Sequence, residues 1–246
     1  MEAKKITTVV FDMGQVLIHW TPFSVTDHLG LSEEDMSILL REMFQSVEWV
    51  SLDHGTLTRE QAVERVKTRV PERLWPAVEE TIFGWWHRPL KPMEGMAELV
   101  RELKGKGYHL YVLSNAGTDL RDYFDRIPGA ECFVGIMVSA EEKLLKPMPA
   151  IYERLAKKFE LDLGECVFID DAPANIEVAI QTGMRLFILS RKGFQNIIHN
   201  DDKSDGRCIF PKIGKQLIIA STCHDGISDT IGISLKDHTG IIIVLI

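Results

Sequence analysis

The chain has 246 residues, 45% apolar and 26% charged, which excludes a disordered acidic tail, a disulfide miniprotein and a collagen-like fibre. Its 28 basic and 36 acidic residues give a net charge of −8, unsuited to general nucleic-acid binding, so an anionic substrate would need local cations or a metal ion. There is no run of about 18 apolar residues to span a membrane, and the charged start Met1 to Lys5 does not read as a signal peptide.

In chain order, Ile6 to Phe11 is a β-branched apolar run that ends at Asp12. From about 22 to 88 the apolar pattern is helical, with helix-start signatures at Ser32-x-x-Asp35 and Thr58-x-x-Gln61. Gly84-Trp85-Trp86-His87-Arg88 closes that stretch before Pro89 and Pro92. Gly95 to Lys104 carries Met96, Leu99, Val100 and Leu103 on one helical face, and Gly105 and Gly107 follow as terminators. His109 to Leu113 is a second strand-like run, ending at Ser114. Cys166 to Ile169 is a third, ending at Asp170 and Asp171. Val134 to Val138 and Leu186 to Leu189 are weaker candidates. Short continuous apolar runs alternating with amphipathic helices predict an α/β fold: a Rossmann-like, doubly wound parallel sheet with an inserted α-helical cap. The expected division is a core of 1–20 and 89–190, a cap of 21–88, and a C-terminal segment 191–246 of unassigned structure. That last segment holds thirteen isoleucines against eleven in the preceding 190 residues. It ends in an uncharged β-prone run that reads as a β appendage, a dimerising edge or a non-native extension.

Cys132, Cys166, Cys208 and Cys223 form no CxxC pair and no zinc-ligand spacing. They read as small core residues of a protein in a reducing, cytoplasmic compartment.

In such a fold, ligands bind at the carboxyl ends of the strands, and the polar clusters fall there. Asp12, directly after the first run, is placed to act as a nucleophile. Ser114-Asn115 offers a hydroxyl and an amide to an oxyanion, and Lys146 is a cation before Pro147, which is expected to favour a first helical turn. Asp170-Asp171 is a carboxylate pair suited to a hard divalent cation, with Asn175 four residues on. Singly, each has an ordinary reading as a helix cap, a turn or a solvated charge. Their joint occurrence in this order, each after its own strand, is what points to chemistry.

These segments carry a resemblance to the haloacid dehalogenase-like hydrolase superfamily, in the branch with a helical cap between the first two motifs, and within it to sugar-phosphatase-like members. The matching stretches are Val10-Phe-Asp-Met-Gly-Gln-Val-Leu17, Val112-Leu-Ser-Asn115, Leu145-Lys-Pro147 and Val167-Phe-Ile-Asp-Asp-Ala-Pro-Ala-Asn175, within residues 5–190. The resemblance implies a Mg²⁺-dependent phosphatase acting on a small phosphorylated metabolite such as a sugar phosphate, through an aspartyl-phosphate on Asp12. Ser114 and Asn115 would hold phosphoryl oxygens, and Lys146 would neutralise charge. Asp12, the Gly14 carbonyl and Asp171 would bind Mg²⁺, with Asp170 direct or through water. His19 and Trp20, just beyond the first motif, are candidate substrate contacts.

One departure stands out. The superfamily's phosphatases carry a general acid/base aspartate two residues after the nucleophile, and here that position is Gly14. His19, His54 and Asp170 are candidate replacements. Dehalogenases of the superfamily also lack that aspartate, so a 2-haloacid dehalogenase is the alternative enzyme. Asp170-Asp171 argues against it, because metal-free chemistry has no use for the pair. A non-catalytic binding or regulatory protein on the same fold is the third reading. The oligomeric state is not fixed by these features.

Overall fold

Strand β1 (Thr8–Phe11) is buried along its whole length, as expected of an apolar run in the middle of a parallel sheet. The computed structural model describes residues 5–190 and 242–245. The sheet order is β3-β2-β1-β4-β5-β6, built from β2 (His109–Ser114), β3 (Phe133–Val138), β4 (Cys166–Asp170), β5 (Arg185–Ser190) and β6 (Ile242–Leu245). β1 to β5 run parallel, and β6 lies antiparallel against β5. Of the C-terminal segment 191–246, residues 191–241 and Ile246 lie outside the described residues, and with them Cys208 and Cys223.

Period-2 alternation divides the strands between two cores. Val9, Phe11, Leu110, Val112, Val167 and Ile169 face one side, with Met96, Leu99, Val100 and Leu103. Val10, Tyr111, Leu113, Cys166 and Phe168 face the other, with Ile151, Tyr152, Leu155 and Ile176. The helices that supply these residues, with the short α7 (Leu120–Tyr123) and α8 (Ser139–Glu142) between them in the chain, follow below.

Between β1 and the return to the sheet the chain builds α1 (Pro22–Thr26), α2 (Glu33–Leu39), a π-helical turn (Leu40–Phe44), α3 (Val47–Asp53), α4 (Arg59–Lys67) and α5 (Trp75–Phe83). Thr58 and Gln61 form a reciprocal capping box at the start of α4, and the Ser32 side chain accepts from the Asp35 N–H at the start of α2. The insert has its own core, in which Leu39, Met43, Val66, Leu74 and Val78 are buried.

Helix α6 (Met96–Gly105) then covers one face of the sheet and ends before Gly107, whose φ of 90° suits a residue without a Cβ. Helices α9 (Pro149–Phe159) and α10 (Pro173–Gln181) cover the other. α9 starts at Pro149 and not at Pro147: Met148, held extended at φ −62°, ψ 127°, keeps the helix from starting before that second proline. Among the described residues, no helix is long and apolar enough to cross a membrane.

Candidate active site

The connections from β1 run one way, to β2 and β3, and the later strands β4 and β5 add on the opposite side, so β1 and β4 flank the point where the order reverses. The Asp12 N–H donates to the Ile169 carbonyl at 2.8 Å, clamping the residue after β1 to the end of β4. Asp170 closes β4 at 0% exposure, while Asp171, one residue on, is exposed. Ligand oxygens of Asp12, Asp170 and Asp171 lie within 4.8 Å of one another.

Lys146 sits between two of these carboxylates. Its ammonium, 1% exposed, is 2.8 Å from Asp12 Oδ1 and 2.8 Å from Asp170 Oδ2, and it donates to the Leu113 carbonyl at 2.9 Å. Burial opposes the charge on Lys146, but Asp12 and Asp170 outweigh it and keep the ammonium above its ordinary range. Burial pushes the Asp12 carboxyl up to about 7, with Lys146 pulling down and Asp170 pushing up. Two carboxylates therefore share one buried cation and a third, Asp171, stands beside them, an oxygen-rich arrangement that fits a hard divalent ion.

Asp170 is already fully engaged. Its oxygens accept from Lys146, from the Ala172 N–H at 2.8 Å and from Asn175 Nδ2 at 3.0 and 3.1 Å. Asn115 is likewise used to hold the lysine loop: Nδ2 donates to the Lys146 carbonyl at 2.9 Å, and Oδ1 accepts from the Lys146 N–H at 2.8 Å. Ser114 ends β2 at 2% exposure and lines the same cavity as Asp12, Gly14, Lys146, Asp171 and Asn175.

That cavity, about 880 Å³, lies between the strand ends and the helical insert. Trp20 lines it, and its ring lies 5.8 Å from Trp49 and 6.4 Å from Trp85, which is 6.0 Å from Trp86. All four tryptophans line the cavity. Gln15, in the left-handed region at φ 58°, fixes this wall by accepting from the Trp20 N–H at 3.1 Å. His19 is exposed and lies outside the cavity lining. The chain here pairs with the segment returning from the insert through an isolated antiparallel bridge at Ile18 and Pro92, with the His19 N–H donating to the Lys91 carbonyl at 2.7 Å, so successive side chains face opposite ways.

Sequence reasoning missed the insert's contribution. Asp53, Arg59 and Glu60 line the cavity from the insert, and Asp119 and Tyr123 line it from the segment after β2. Arg59 lies 3.8 Å from Asp119 and stacks 4.7 Å from the Trp86 ring centre. A helical segment with acids on it reads as a solvated face, and nothing in its spacing marks which acids turn inward.

Comparison with known proteins agrees with this architecture. A model of the haloacid dehalogenase-like hydrolases matches residues 6–183. A sesquiterpene phosphatase of Aspergillus oryzae is 28% identical over 177 residues, covering 71% of this chain and 85% of that protein. A D-ribitol-5-phosphate phosphatase of Bacteroides thetaiotaomicron is 23% identical over 201 residues, covering 74% and 91%. The crystal structure of a Bacteroides thetaiotaomicron enzyme of this family, complexed with magnesium and inorganic phosphate, superposes with a TM-score of 0.56 at 20% identity, covering 79% of this chain and 98% of that one. The sheet order, the helical insert, the acidic strand ends and the family match over most of its length lead to one conclusion: the chain belongs to the haloacid dehalogenase-like hydrolases.

Proposed function

We propose that the protein is a Mg²⁺-dependent phosphatase that hydrolyses a small phosphomonoester through an aspartyl-phosphate on Asp12. The observation that carries this reading is the convergence of Asp12, Asp170 and Asp171, with Lys146 bridging the first two. Asp12, the Gly14 carbonyl and Asp171 would hold the metal. Bound there, the ion would offset the repulsion between an anionic nucleophile and an anionic substrate.

In the first step an Asp12 oxygen attacks phosphorus and the leaving-group oxygen departs. Water then attacks the acyl phosphate and regenerates the carboxylate. Lys146 neutralises charge on Asp12 and the phosphoryl oxygens, and the Ser114 hydroxyl donates to one of those oxygens. Asp170 holds Lys146 and Asn175 in place, and Asn115 fastens the backbone of Lys146. The insert covers the strand ends and limits water.

The named relatives are a sesquiterpene phosphatase and a polyol phosphate phosphatase, and both names fit a phosphorylated metabolite. The tryptophan wall suits either the C–H face of a sugar or polyol or an apolar leaving group. Carbon–halogen hydrolysis draws support from Gly14, but it leaves Asp171 at the cavity without a role.

The test is turnover of p-nitrophenyl phosphate, then of sugar, polyol and isoprenoid phosphates, with and without Mg²⁺. Turnover should require Mg²⁺, stop with EDTA, and be abolished by Asp12→Asn in a protein that still folds. Activity that survives EDTA, or release of halide from a 2-haloacid with no phosphatase activity, would refute the proposal.

A further inference from the structure

The absence of a carboxyl at Gly14 leaves the proposed reaction without an evident proton donor, and the three candidates read from the sequence do not supply one. His19 is exposed and outside the cavity lining. The His54 ring is bonded to the Lys143 carbonyl at 2.8 Å, and that residue too is outside the lining. Asp170 is enclosed by Lys146, Asn175 and the Ala172 N–H.

Asp53 stands differently. It ends α3 and lines the cavity shared with Asp12 and Ser114. No hydrogen bond or ion pair to its carboxyl group is present among the described residues. Its position is nonetheless fixed. The Asp53 carbonyl accepts from Ser139 Oγ at 2.6 Å, and that oxygen in turn accepts from the Ala116 N–H at 2.9 Å, two residues beyond Ser114. On the next two residues, His54 bonds the Lys143 carbonyl and the Gly55 carbonyl accepts from Lys143 Nζ. The insert thus holds the backbone of Asp53 against the loop that follows Ser114, with its carboxyl group in a residue that lines the cavity.

We propose that Asp53, from the insert, is the general acid and base that replaces the missing carboxyl at position 14. The inference rests on the phosphatase reading above. In the first step an Asp12 oxygen forms a bond to phosphorus as the bond to the leaving-group oxygen breaks, and the Asp53 proton passes to that oxygen, which leaves as an alcohol. In the second, the Asp53 carboxylate takes a proton from the attacking water. The water oxygen bonds to phosphorus, the bond to Asp12 breaks, and inorganic phosphate departs with both carboxyl groups restored.

The surroundings suit the role. Burial, with Asp119 opposite, pushes the Asp53 carboxyl up to about 7, so near neutrality it can both give and take a proton. The other titratable groups lining this part of the cavity are less suited. Burial raises the Asp119 carboxyl as well, but Asp119 lies 3.8 Å from the Arg59 guanidinium, which favours its charged form. Glu60 is exposed and held below its ordinary range by its own backbone N–H and by Thr58, so it has no proton to give. Burial raises the Tyr123 phenol well above its usual range, so it cannot return as a base. Lys143 is bonded to the Gly55 carbonyl.

The experiment compares kcat/KM for p-nitrophenyl phosphate, whose leaving group needs no proton, with that for an alkyl or sugar phosphate, whose leaving group does. Asp53→Asn should raise the nitrophenyl-to-alkyl ratio by about 10²-fold or more. Gly14→Asp on that background should bring the ratio back, since a Cβ at Gly14 meets only Trp20 Cβ, at 3.8 Å. In the wild type, which serves whether or not the variant folds, the alkyl ester's kcat/KM should fall relative to the nitrophenyl ester's as pH rises through about 7. An equal effect on both esters, or a ratio that does not change with pH, would overturn the role of Asp53 and leave the phosphatase reading standing. Failure of the wild type to hydrolyse either ester would overturn both.

Discussion

Replacing Lys146 with Met tests whether charge, rather than packing, makes this lysine indispensable. The side chain is 1% exposed and contacts two carboxylates at 2.8 Å each, so its removal leaves Asp12 and Asp170 facing each other without a cation. Breaking a buried ion pair by removing one partner costs about 3–5 kcal/mol. For a domain of this size each kcal/mol moves Tm by about 2–4 °C, which gives a fall of about 6–20 °C. The pH dependence separates the two explanations. The Asp12 carboxyl is raised to about 7 in the folded protein, above its unfolded value of 3.8, so stability that is fully present below 3.8 is lost as pH rises through about 7. Without Lys146 its folded value rises further and the loss steepens. Urea unfolding of EDTA-treated protein should therefore show a larger deficit at pH 7.5 than at pH 5. Adding Asp170→Asn should recover part of it at pH 7.5, because one of the two facing charges is gone. A deficit equal at both pH values, or one under about 1 kcal/mol, would refute the electrostatic account.

Two further variants probe the site and its frame. Gly14→Asp should fold like the wild type, since the added Cβ makes only ordinary contact with Trp20, and a clearly lower melting temperature would refute that. Gly55→Ala should lower stability by about 2 kcal/mol or more, because φ is +68° and a Cβ would lie 2.1 Å from the Ala140 carbonyl oxygen. Thermal melts and limited proteolysis of the insert check that outcome, and a melt matching the wild type would refute it.

The sequence made the sheet legible because each central strand is a run of apolar residues that stops at a polar one. Phe11 to Asp12, Leu113 to Ser114 and Ile169 to Asp170 are such stops, and strand ends are where this architecture binds ligands. Neighbours beyond those stops were harder to read. His19 and Trp20 are adjacent, yet one is exposed outside the cavity lining and the other lines it, because extended backbone alternates its faces. Asp170 and Asp171 also separate, the first closing β4 as a buried anchor for Lys146 and the second, in the bend beyond the strand, an exposed residue at the cavity. Asp53 could not be found in this way. Its approach to Asp119 depends on how a separate helical lobe folds back over the sheet, and no local period encodes that distance.

The contacts that dock this lobe have a consequence for how such a protein can change over generations. Each of the three hydrogen bonds joining residues 53–55 to residues 139–143 has a backbone carbonyl as acceptor: that of Asp53, of Gly55 or of Lys143. A carbonyl is supplied by any residue, so the side chain at position 53 can be exchanged while its peptide keeps its anchor. The closed arrangement and the chemistry displayed inside it are thus heritable separately. A lineage can try new inward-facing groups one at a time without first having to reinvent the way the two lobes meet.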